Sequence, residues 1–165
     1  MGRVGQRISR VAPGCGRSAA GVSFSIADVT QLRQVIAMDS FALLERSALN
    51  AILDETGEDR TIVATQLLHA KVISRENTGG GFFVNIEGSP DAAPLDPRTA
   101  PLGQNVYVGV AGLEYGLGAI LHCKEGRINL LEGYSVGGED TSSIDFLHVP
   151  FALIAEPGPL PASDG

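Results

Sequence analysis

Gly133-Tyr134-Ser135-Val136-Gly137, followed by Gly138, is the segment with the most specific chemical signature. G-x-S-x-G is the nucleophile elbow of α/β-hydrolases, in which a strained strand-to-helix turn exposes a serine hydroxyl. Asp145 and His148 follow in the chain order of such a triad. The surroundings argue against catalysis. Arg127 to Glu132 reads as a strand, but residues 138–144 are Gly-Glu-Asp-Thr-Ser-Ser-Ile, turn-forming and without an apolar stripe at helical spacing. An elbow needs that helix, because its N-terminus stabilises the oxyanion. Asp145 and His148 also fall on one expected strand, 145–154, where an odd offset sends them to opposite faces. The plainer reading is a strand end and a glycine turn, with Ser135 an ordinary residue.

Three other groups of residues could carry chemistry. Asn77-Thr78-Gly79-Gly80-Gly81 offers backbone N–H groups to an anion, but lacks a Gly-Lys-Ser/Thr ending and precedes a strand rather than a helix. A turn between two strands is the expected role. Arg75 and Glu76, just before these glycines, could bind a carboxylate or an amine, but a solvated charge pair at a strand end is the expected role. His69, His122 and His148 are scattered, with no spacing that demands a metal. His122 and Cys123 are adjacent and so face opposite sides of a strand. No metal or cofactor is expected, and Cys123 reads as a small buried thiol.

The elements that would hold these residues follow from periodicity. Phe41, Leu44, Ala48 and Ile52, widened by Leu49 and Leu53, make a helical stripe after a cap at Asp39 or Ser40, and Gly57 stops it. A second helix spans Asp59 to about Ala70, with Ile62, Val63, Leu67 and Ala70 inward. Strand patterns then take over: 71–74, 81–87 with Phe82, Val84 and Ile86 on one face, 105–111, 117–123, 128–134 and 145–154. Lys124-Glu125-Gly126 is expected to close a hairpin as a three-residue loop. The sum is an α+β domain over 38–155, with a helical hairpin on a curved antiparallel sheet of five or six strands. The second face of that sheet would carry Tyr107, Ile120, His122 and Tyr134, lining a cleft or a dimer interface. The loop 88–103 holds four prolines and is expected to be functional or disordered.

Charge divides the chain. Residues 1–37 hold five arginines and one acid, while the whole chain of 165 residues carries a net charge of −7. Residues 1–37 read as a leader or as a start placed too early, with Met38 the preferred start. Residues 156–165, with three prolines, read as a disordered tail. The acidic body disfavours nucleic acid, and no apolar run reaches the length of a membrane span. Two cysteines without a framework suit a reducing cytoplasm.

Ser74-Arg75-Glu76-Asn77-Thr78-Gly79-Gly80-Gly81-Phe82-Phe83 and Leu131-Glu132-Gly133-Tyr134-Ser135-Val136-Gly137-Gly138-Glu139 together resemble a group of small bacterial α+β proteins, over about residues 40–154. The resemblance implies a hairpin end at Ser135 and lends no activity. The expected function is a non-enzymatic acidic module that binds a protein partner or itself, an immunity-like inhibitor of a basic toxin being one form. The rival is a small enzyme or ligand binder with a pocket between helices and sheet.

Overall fold

The structure, a computed structural model, describes residues 40–162. The expectations for residues 1–37, and an Asp39 cap, lie outside the described residues.

Helix α1 runs Leu43–Glu55 and α2 runs Arg60–Leu68, joined by a 3-10 turn at Gly57–Asp59. Six strands follow: β1 Lys71–Asn77, β2 Gly81–Glu87, β3 Tyr107–Val110, β4 Leu117–Lys124, β5 Arg127–Ser135 and β6 Phe151–Ile154. They form one antiparallel sheet in the order β1-β2-β5-β4-β3-β6. The α+β class and the antiparallel sheet expected from periodicity are both present.

The apolar stripe of α1 buries Leu44, Ala48, Leu49, Ile52 and Leu53, and α2 adds Val63 and Leu67. These meet Phe82, Val84 and Ile86 of β2, Leu131 of β5, and Leu117, Ala119 and Leu121 of β4. One face of the sheet therefore makes the core. At roughly 1.5–3 kcal/mol per large side chain, this burial is the main stabilising term.

The start of α1 differs from the expected Ser40 cap. The N-terminal flanking residue is Ala42, which offers no side-chain acceptor. Glu45 instead turns back and accepts the Ala42 N–H at 2.8 Å, half of a capping box. At the other end Gly57 takes φ +55°, and Arg60 Nη1 donates to the Leu53 carbonyl at 3.0 Å.

Two further expectations are corrected. The β4–β5 turn has two residues, Glu125 and Gly126, with φ of 54° and 74°; Lys124 stays in the ladder opposite Arg127. Two successive positive φ values match the twist of the flanking strands, which a longer loop is not needed to achieve. The last strand is also shorter than expected. Asp145 to Val149 closes into a turn, with Val149 N–H on the Asp145 carbonyl at 2.8 Å and Leu147 N–H on Asp145 Oδ1 at 3.0 Å. An aspartate that captures the N–H two residues on competes with strand pairing. Alternation of Leu147, Val149, Phe151 and Leu153 mimicked a longer strand.

The proline-rich loop is held in place by Gln66. This side chain is fully buried and donates Nε2 to the Ala93 and Gly126 carbonyls, both at 2.9 Å. Its Oε1 accepts the Ile128 N–H at 2.8 Å. Arg127 Nη1 adds bonds to the Ser89 and Ala92 carbonyls, and Leu95 is buried beneath. The Pro-rich C-terminal stretch also makes contacts: Gly158 N–H donates to the Tyr115 carbonyl at 3.1 Å, and residues 159–160 cross Gly109 of β3.

Candidate functional site

Ser135 ends β5 and enters a turn. Its backbone N–H donates to the Gly80 carbonyl at 2.7 Å, and its hydroxyl accepts the Glu139 N–H at 2.8 Å. No helix follows. Glu139 then accepts the N–H groups of Glu114 and Tyr115 at 2.7 and 3.0 Å, tying this turn to the loop before β4. His148 pairs with Asp145, Nδ1 to Oδ2 at 2.8 Å, because the segment is a turn and not the strand that would have separated them. Both are exposed, and neither is hydrogen-bonded to Ser135. The hydrogen bonds from His148 and the Leu147 N–H hold the Asp145 carboxyl below the usual carboxylate range. Nucleophile, base and acid are thus not assembled.

The two motifs singled out in the sequence are partners. Gly79 and Gly80 present carbonyls to the Thr141 and Ser135 N–H groups, at 2.8 and 2.7 Å. Asn77 donates Nδ2 to the Thr141 and Ile144 carbonyls, and its Oδ1 accepts from Thr141 Oγ1. A Cβ on Gly81, at φ +144°, would stand 1.9 Å from the Gly133 carbonyl. The glycines serve this close approach of β2 to β5. The Gly79 and Gly80 N–H groups donate to Asn77 Oδ1 at 3.0 Å and Thr78 Oγ1 at 3.4 Å, which leaves no N–H cradle for phosphate there.

Arg75 is engaged. Its Nε and Nη2 clasp the Glu45 carboxylate at 2.6 and 2.9 Å, and Nη2 also reaches the Ser40 carbonyl. Glu45 is 4% exposed. The same carboxylate caps α1, so this pair anchors the helix start to the edge strand. The bond to Glu45 raises the Arg75 pKa above its ordinary value. Glu76, the next residue, is exposed.

The face of the sheet turned away from the helices assembles the remaining candidates. Paired residues on neighbouring strands share a face. Register puts Tyr134, Gly118 and Tyr107 in one row, Phe83, Glu132 and Ile120 in the next, and Asn85, Leu130 and His122 in the third. Tyr107, Phe83, Ile120, Leu130, His122 and Tyr134 are all half-buried. The Tyr134 ring lies over Gly118, where an added Cβ would come within 2.2 Å of it. Burial, then the nearness of Tyr107 and Glu132, raise the Tyr134 pKa. His122 Nε2 and Glu132 Oε2 meet at 2.7 Å.

Cys123 is half-buried on the opposite face to His122, and burial pushes its thiol up to about 11. At neutral pH it is a protonated, poor nucleophile. Among the described residues no three His, Cys, Asp or Glu side chains converge on a metal position, and no helix is long and apolar enough to cross a membrane. Phe83, Leu130 and Glu132 were not singled out as site residues; the alternation that put Phe83 opposite Phe82 was the available signal. No known protein family, curated protein or solved structure matches the chain.

Proposed function

We propose that this protein is a non-enzymatic binding module that uses the helix-distal face of its sheet to engage a protein partner or a second copy of itself. The observation that carries this reading is the contiguous half-buried patch of Phe83, Tyr107, Ile120, Leu130 and Tyr134 around a single polar pair, His122 and Glu132. Aromatic residues ringed by polar groups are the composition of an interface centre. The best candidate nucleophile has no general base, which favours binding over catalysis. A net charge of −7 favours a basic partner by steering its approach. An immunity-like inhibitor of a basic toxin is one concrete form, and a reducing cytoplasm is the compartment we assign.

The test is capture by the full-length chain from lysate, read by mass spectrometry, alongside light scattering of the purified protein. Leu130→Glu with Ile120→Glu places two charges in the patch while leaving the helix-side core intact. A stoichiometric partner, or a dimer, that disappears in this variant supports the reading. A chain that stays monomeric and captures nothing dependent on the patch ends it.

A further inference from the structure

The helix-distal face of the sheet carries one row in which an aromatic ring stands between two acids. Register sets Glu76 of β1 beside Phe83 of β2, and Phe83 beside Glu132 of β5. Residues directly opposite each other on neighbouring strands share a face. Two strand spacings put the glutamate backbones roughly 10 Å apart, a gap that their side chains can close from either side of the ring. Glu76 is exposed, and Phe83 and Glu132 are half-buried. The C-terminal stretch crosses this face at Gly109 of β3, three strands away from β2 in the sheet order.

The row is negative. Among the described residues the Glu76 carboxylate has no hydrogen-bond or ion-pair partner. Arg75, next to it in sequence, points to the other face and clasps Glu45. Lys71 shares the face of Glu76 but lies at the far end of β1, opposite Glu87. Glu132 Oε2 meets His122 Nε2, and a neutral imidazole leaves the carboxylate charge in place. Tyr134 feels that charge: burial, then Tyr107 and Glu132, keep its phenol protonated to higher pH. Two carboxylates therefore flank a partly open ring with no cation between them.

We propose that Glu76, Phe83 and Glu132 seat one arginine side chain presented by a basic protein partner. The inference rests on the partner-binding reading of this face and narrows the chemistry of the partner. A guanidinium is flat and weakly hydrated, so it lies on the Phe83 ring and still donates from both edges to the carboxylates. A lysine ammonium offers no flat surface to the ring and gives up more hydration. A neutral urea group of the same shape keeps the stacking and loses the attraction of both acids.

The test is an amide-detected NMR titration of the full-length chain, at low salt, with the tripeptide leucyl-arginyl-leucine blocked at both ends. Matched peptides carry citrulline, the neutral isostere, or lysine in place of arginine. Saturable shifts centred on residues 76, 83 and 132 are expected, with a dissociation constant on the order of 1 mM for a ligand this small. The citrulline peptide should bind about tenfold more weakly, and the lysine peptide about threefold. Glu76→Gln alters an exposed side chain and Phe83→Leu keeps an apolar group in place. Each should weaken arginine-peptide binding about fivefold with the rest of the amide spectrum preserved. No saturation by the arginine peptide, equal binding of the citrulline or lysine peptide, or full affinity in either variant would each overturn the proposal. The two readings fail separately. A partner or dimer lost on charging positions 120 and 130, without arginine binding here, leaves the interface standing and removes the arginine seat. Arginine binding as expected, without any such partner or dimer, supports the seat and ends the interface reading.

Discussion

At the scale of single residues, the strongest consequences attach to groups that chemistry alone misassigns. Arg75 reads in the sequence as half of a solvated charge pair with Glu76, yet its partner is Glu45, which is 4% exposed and caps α1. Arg75→Ala strands that carboxylate. We expect a loss of about 3 kcal/mol, the low end for breaking a buried pair because the guanidinium is 35% exposed, seen as a lower urea midpoint. Ser135→Ala should cost less than about 1 kcal/mol, the worth of one ordinary hydrogen bond, and a fluorophosphonate probe should label neither form. Cys123 gives a pH test. Its folded pKa of about 11 exceeds the ordinary thiol value of 9.0, so the protonated thiol favours folding below pH 9, and that contribution fades as pH rises toward 11. Alkylation of the native protein should accordingly keep accelerating above about pH 10, where unfolded protein has levelled off.

At the scale of elements, Gln66 holds the 88–103 loop more firmly than its prolines suggest. Gln66→Leu leaves the Ala93 carbonyl and the Ile128 N–H without a partner, while the Gly126 carbonyl keeps the Leu95 N–H. At roughly 1–3 kcal/mol for each stranded group, we expect at least about 2 kcal/mol of destabilisation. Amide exchange should speed first at Ala92 and Leu95, next to the loosened turn. A leucine variant with unchanged protection there would show that Arg127 alone fixes the loop. Elements with one clear period were legible in the sequence: α1, β2 and β4 sit where their apolar spacing put them. Those decided by a side chain reaching across the molecule were not. Glu45 capping its own helix under Arg75, Asp145 folding what looked like strand into a turn, and Gln66 crossing to Gly126 leave no local pattern. The outer-face set of Tyr107, Ile120, His122 and Tyr134 was readable because period-2 alternation survives any error in strand length.

At the scale of the whole molecule, one sheet face is sealed by helices and by the 141–149 segment, while the other relies on half-buried side chains. Gly118→Ala lies at the centre of that open face and would push the Tyr134 ring off its glycine seat. We expect a shift in the near-ultraviolet tyrosine signal and weaker partner capture, with helix content unchanged by circular dichroism. Retained capture with a displaced ring would place the binding surface elsewhere. The sheet order has a kinetic consequence as well. The hairpins β1–β2 and β4–β5 close locally, but the sheet is whole only when Gly81 finds Tyr134 and Asn85 finds Leu130. Such distant pairings are slow to search for, and until they form each hairpin has an open strand edge. The glycines at 81 and 133 lower the steric barrier at that seam, so bulk introduced there would act on the rate of folding and on the yield of soluble chain before it acted on any binding surface.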